Sequence, residues 1–190
     1  MEVEIGAEAK DKRLNRMVAL TVVVLSITMG LGQVKDGNIV QAMQQAQSDA
    51  VDHWGEYQAT KTKLHIDEVA LAQTNFLESL GGAKVASATA AERARLTAEM
   101  AKYAAEIPKL RKEAIGFKDQ YDALNVHDDQ FDASDALLSI AISVAAVAAL
   151  ADSAGALYAA WVFGALGLVM SAAGFLGWSL HSDLLSRLLS

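Results

Sequence analysis

Residues 96–124, "LTAEMAKYAAEIPKLRKEAIGFKDQYDAL", decide the fold. Apolar side chains recur at Leu96, Met100, Tyr103, Ile107, Leu110, Ala114, Phe117, Tyr121 and Leu124, in alternating steps of four and three. A mean spacing of 3.5 residues sustained over four heptads marks a helix that lays one stripe against another helix, as in a coiled coil. Pro108 lies inside the run and is expected to bend it or loosen one turn.

The partner helix lies upstream. From Ile39 to Leu80 the chain has one glycine (Gly55) and no proline. A weaker stripe runs through Val40, Met43, Gln47, Ala50, Trp54, Tyr57, Lys61, Leu64, Glu68, Leu71 and Asn75. Asp36-Gly37-Asn38 reads as a turn before it, with Asn38 as a helix cap. Gly81-Gly82 supplies a stop, and Thr89-Ala-Ala-Glu92 matches a capping box that restarts the second helix. The block 35–134 is therefore expected to be an antiparallel coiled-coil hairpin with its tip at 81–90. At 1.5 Å per residue, arms of about 42 residues give a rod roughly 60 Å long. Facing residues should have numbers summing to about 166. That register puts Trp54 opposite Lys112, where Arg111 and Lys112 could stack on its ring and that of Tyr57.

Working outward, the hairpin is flanked by apolar segments. Apolar residues make up 53% of the 190-residue chain and charged residues 21%, and the two are segregated. Met17–Val34 carries no charge, nor do Ala136–Ala151 and Ser153–Ser182 if His181 is neutral. About 20 apolar residues cross a bilayer as a helix, so the expected class is all-α, with three transmembrane helices at 17–34, 135–152 and 156–181. The second is short. If it only dips into the bilayer, the C-terminal tail at 182–190 changes sides. The N-terminal tail, 1–16, holds Lys10, Lys12, Arg13 and Arg16, whereas Lys35 is the sole base soon after the first segment. The positive-inside rule then places the N-terminus in the cytoplasm and the hairpin outside. Small residues four apart, Ala141/Ala145/Ala149, Ala160/Gly164 and Gly167/Ser171, together with Gly174 and Gly177, fit close packing of membrane helices.

Three stretches carry a family resemblance: "KDKRLNRMVALTVVVLS" (10–26), "MGLGQVKDGNIVQAMQQAQSDAVDHWGEYQATKTK" (29–63) and "WVFGALGLVMSAAGFLGW" (161–178). They resemble the bacterial membrane proteins grouped as domain of unknown function 4337. The family pattern of Trp followed by Tyr-Gln-Ala-Lys is matched by Trp54, Tyr57, Gln58 and Ala59, with Thr60 in place of the Lys. The resemblance implies a bacterial inner-membrane protein of uncharacterised role and carries over no catalytic residue.

The chemistry-bearing residues narrow the function classes. There is no cysteine, so disulfides, thiolate metal sites and a Cys nucleophile are excluded. The net charge is −7 and no block is basic enough to recruit nucleic acid. No nucleophile elbow or phosphate loop occurs, and neither an enzyme nor a cofactor is expected. Asp49, His53 and Glu56 share one helical face and are weak metal candidates, but no Glu-x-x-His pair accompanies them. Asp128, Asp129, Asp132 and Asp135, with Asp119 and Asp122 nearby, form an acidic collar before the second apolar segment. In an oligomer this collar could be a cation vestibule; alternatively Asp132 or Ser134 caps the segment and the other acids are solvated. Asp152 is expected in the turn between the last two segments, where a proton-carrier role would be the less ordinary one. The expected function is a homo-oligomeric scaffold in the lipid bilayer that binds an unidentified protein partner at the hairpin. Packing would rest on Trp54, Tyr57, Leu96, Met100, Tyr103, Ile107, Leu110, Phe117, Tyr121, Gly164, Gly167 and Gly174. A channel or transporter-like oligomer is the alternative, and a metal-dependent enzyme ranks last.

Overall fold

The computed structural model describes the backbone of residues 2–178 and the side chains of residues 12–178. The C-terminal tail at 182–190 and the last residues of the third apolar segment lie outside the described residues. Every regular element among them is helical. Helical backbone runs Glu2–Leu150, broken inside at Gly82, and resumes over Ala154–Leu176. We name the two arms α1 (residues 2–81) and α2 (residues 83–150), and the last helix α3 (Ala154–Leu176).

The reversal between α1 and α2 is tighter than the 81–90 loop expected from sequence. Gly82 has φ 61 and ψ −153, a region essentially reserved for glycine. A Cβ at Gly81 would overlap Val85, so the preceding position also requires glycine. One residue in this conformation turns the chain, and 83–90 is already helical. Thr89 accordingly caps nothing. Its hydroxyl donates to Glu78 Oε1 (2.5 Å) and to the Val85 carbonyl (3.1 Å) inside the helix. Two other expected breaks are absent for the same reason: the intrahelical ladder outcompetes a local turn signal when the helix is packed along its length. Helix continues through Asp36-Gly37-Asn38 and through Asp132–Ser134. It also continues through Pro108.

The chain divides into two compact units. One is Gln44–Tyr121. Its α2 seam is the series anticipated from sequence, with Leu96 and Ala114 fully buried. Its α1 seam is not. The covered positions are Ala46, Ala50, His53, Tyr57, Thr60, Leu64, Asp67, Leu71, Thr74 and Glu78, again in steps of four and three. Alternate expected positions are one residue late: His53 enters the seam beside a half-buried Trp54, and Thr60, Asp67 and Thr74 replace the exposed Lys61, Glu68 and Asn75. Hydropathy alone favours Trp over His, but continuity with Tyr57, Leu64 and Leu71 puts the polar residues inside.

The other unit takes residues up to Met43 and from Asp122 onward. Here α1, α2 and α3 pack side by side. Leu14 and Val18 meet Ala145, Ala148, Leu157 and Ala160, and Leu25 meets Leu138 and Ala141. The α3 face is a heptad series of small residues, Ala160, Gly164, Gly167, Ser171 and Gly174, all buried. Each glycine receives a larger partner. Added Cβ atoms would lie 3.2 Å from Leu25 at Gly164, 2.8 Å from Leu138 at Gly167 and 2.7 Å from the Phe131 ring at Gly174. Of the alanines expected to pack on α2, Ala141 and Ala145 are buried and Ala149 only partly so, its neighbour Ala148 being buried in its place. Gly177 is a left-handed helix C-cap (φ 69) rather than a packing residue. Ser153 caps the start of α3, its hydroxyl accepting from the Ala156 N–H (3.3 Å). Asp152 lies in the turn, as expected, with φ 46.

Two helical elements of the described chain, Lys12–Leu150 and Ala154–Leu176, are long and apolar enough to cross a membrane. The first contains both the 17–34 and the 136–150 stretch, on opposite arms.

Candidate functional site

The densest group of chemistry-bearing residues is a carboxyl cluster where α1 and α2 face each other at one end of the three-helix unit. Sequence reasoning identified only its α2 side. Asp128, Asp129, Asp132 and Asp135 come from α2, and α1 adds Asp36 and Gln33. Gln33 Nε2 donates to Asp135 Oδ2 at 2.9 Å. Asp36 and Asp128 lie close enough that the Asp128 carboxyl, when protonated, can donate to the Asp36 carboxylate. Burial pushes the Asp128 carboxyl up to about 6, helped by the charges of Asp36 and Asp132. Burial also raises Asp36 and Asp132; for Asp36 the hydrogen bond from Asp128 opposes the rise, and for Asp132 the charge of Asp36 adds to it. Like-charged groups this close cannot all ionise at their ordinary values. One oxygen of Asp36, Oδ1, is buried and accepts no hydrogen bond. Asn125 Nδ2 approaches Asp129 Oδ2 at 3.5 Å.

Beside the cluster, Gln130 is completely buried. Its amide donates to the Trp178 carbonyl at 2.7 Å, tying α2 to the end of α3. His127 Nδ1 lies 3.1 Å from Gln130 Oε1. Phe131 packs edge-on to Phe175, with centroids 5.2 Å apart. Ser134, expected as a cap, instead donates its hydroxyl to the Gly167 carbonyl at 2.9 Å. Asp36 was hidden in the sequence by its position in an apparent turn, and Gln130 by being an uncharged residue among acids. Only the pairing of arms reveals them.

The histidine layer of the hairpin is built differently from the metal-site expectation. His53 Nδ1 lies 2.8 Å from the Asp49 carbonyl, Nε2 faces Glu113 Oε2 at 3.7 Å, and the ring packs on Phe117 (4.9 Å). Asp49 Oδ1 accepts from Gln45, so it is not aimed at His53. Glu56 lines a shallow groove of about 460 Å³ with Lys63 and Lys109. No group of three or more metal-ligating side chains occurs among the described residues. The aromatic seam is corrected too. Trp54 meets Tyr57 edge-on (5.3 Å), and the cation over Tyr57 is Lys61, 5.5 Å from its centroid, in place of Arg111 or Lys112.

The hairpin also carries a second apolar stripe outside the expected seam. Ile66, Val69, Phe76 and Leu80 fall at steps of three, seven and four, with Leu77 alongside, all on the side of α1 away from its seam. Each is 44–72% exposed. The signal is present in the sequence as apolar residues at helical spacing, interleaved with the seam series of the same helix.

A family model described as Domain of unknown function (DUF4337) matches residues 14–177, and the chain belongs to that family. No curated protein and no solved structure matches the chain.

Proposed function

We propose that this protein is a membrane-anchored scaffold whose helical hairpins associate with one another. The observation that carries the proposal is the uncovered stripe Ile66, Val69, Phe76, Leu77 and Leu80. Its 3.5-residue spacing fits a helix as occupant. From Val69 to Leu77 no residue is charged, and the flanking positions His65, Ala70, Ala72 and Ser79 hold no acid or Lys/Arg, so identical copies meet without like-charge repulsion. Five half-exposed side chains at about 100 Å² each bury on the order of 1,000 Å² between two copies, the lower limit for a specific interface.

Anchoring is supported by the three-helix unit. In its most apolar windows only 17% of one element and 33% of the other are buried, whereas a core helix of a water-soluble fold buries most of its length. Leu20, Val23, Val24, Ile27 and Leu31 of α1, and Val162, Phe163, Leu166 and Val169 of α3, are outward-facing. On this reading residues 17–34, 136–150 and α3 each cross the bilayer of a bacterial inner membrane, with the N-terminus cytoplasmic and the hairpin external.

Light scattering on protein in mild detergent is expected to show a defined oligomer that Phe76→Glu/Leu80→Glu converts to monomer with helicity unchanged. A wild-type monomer at micromolar concentration would refute the proposal. A reporter fused beside Gly82 should signal from outside the cytoplasm. In liposomes the scaffold carries no ion flux; flux that falls when Asp128, Asp129, Asp132 and Asp135 become Asn would replace the scaffold with the channel reading.

A further inference from the structure

At the end of the three-helix unit opposite the carboxyl cluster, two hollows adjoin. The first, about 430 Å³, has Arg13, Asp152, Tyr158 and Trp161 in its wall. The second, about 370 Å³, continues between α1 and α3 over Leu20, Val24, Leu25, Gly164 and Leu168. Trp161 lines both, so one passes into the other beside its ring. That ring is held in place. Its Nε1 donates to Thr21 Oγ1 at 2.9 Å, and Tyr158 packs edge-on to it at 5.6 Å. The groove thus carries one charge of each sign at one end, above an apolar floor, and is apolar apart from Thr21 along the other.

We propose that this groove binds one phospholipid whose headgroup carries a primary ammonium, that is, a phosphatidylethanolamine. The inference rests on the membrane anchoring proposed above. Arg13 and Asp152 both face the polar hollow, and neither forms an ion pair with another described residue. A guanidinium suits the phosphate and a carboxylate suits the ammonium, so the two opposite charges match a zwitterion with N–H donors. A phosphatidylglycerol would leave Asp152 facing an anion, and a choline headgroup has no N–H to give it. The amphipathic rings of Tyr158 and Trp161 stand where headgroup and hydrocarbon meet. From Arg13 to Leu25 is twelve residues, about 18 Å along the helix, close to the roughly 15 Å of one leaflet's hydrocarbon. The apolar arm of the groove, about 370 Å³, therefore accommodates one acyl chain.

The test uses the full chain with Trp54→Phe and Trp178→Phe, which leaves Trp161 as the reporter. It is reconstituted in phosphatidylcholine vesicles containing a minor fraction of lipid with brominated acyl chains. Brominated phosphatidylethanolamine is expected to quench Trp161 several-fold more than brominated phosphatidylcholine or phosphatidylglycerol at the same fraction. Arg13→Gln and Asp152→Asn should each return quenching to the phosphatidylcholine level with circular dichroism unchanged. The unmodified chain in detergent should show the same lipid order as a rise in Tm on titration. Equal quenching by all three lipids means unselective contact and overturns the site while leaving the anchoring intact. Stronger quenching by phosphatidylglycerol, lost with Arg13→Gln alone, overturns the headgroup assignment. Absence of quenching by any lipid refutes the anchoring itself.

Discussion

Replacing Asp128 by asparagine should stabilise the protein at neutral pH. The wild-type carboxyl is pushed from 3.8 up to about 6, chiefly by burial and then by the charges of Asp36 and Asp132. The sign follows from proton linkage. The folded state holds this proton more tightly than the unfolded chain, so stability declines as pH rises from about 4 through about 6 and stays low above that. At roughly 1.4 kcal/mol per pH unit the displacement corresponds to about 3 kcal/mol. Asp128 is only partly buried, and solvent screening reduces the expected effect to about 1 kcal/mol. Asparagine keeps a donor for Asp36 and removes the titration, so Asp128→Asn should gain about 1 kcal/mol at pH 7.5 and nothing near pH 4. Thermal unfolding in one detergent, followed by circular dichroism at both pH values, measures the difference between variant and wild type, in which titrating groups away from the cluster cancel. A variant less stable than wild type at pH 7.5, or an equal difference at both pH values, would refute the reasoning.

Other expectations follow from backbone geometry and packing. Gly82→Ala should cost on the order of 1–3 kcal/mol, read as a lower Tm, because the turn residue sits at φ 61, ψ −153; Gly55→Ala, at an exposed helical site, should raise Tm and serves as control. Gly167→Val should cost about 1–3 kcal/mol by driving a branched side chain into Leu138, whose side chain and backbone N already crowd a single Cβ. Denaturant titration should register it as an earlier midpoint. Asp67 is buried in the hairpin seam with Oδ2 lacking a hydrogen-bond partner, so Asp67→Leu should stabilise by about 1–3 kcal/mol in the same titration.

The sequence by itself determined that the chain is helical, that residues 96–124 present one heptad seam, and that Gly81-Gly82 reverses the chain. These depend on local spacing and on a backbone conformation open only to glycine, both visible along a single strand of letters. It also exposed the small-residue face of α3, since glycine and alanine four apart have few other uses in an apolar helix. Tertiary structure alone decided the phase of the α1 seam. His53 and Trp54 differ by one step on a helix, and only contact with Phe117 and Glu113 turns His53 inward. It likewise decided that Asp36, from an apparent turn, joins Asp128 from the other arm. Such meetings depend on which residues two antiparallel helices bring together across nearly a hundred positions, a long-range pairing that no local pattern encodes.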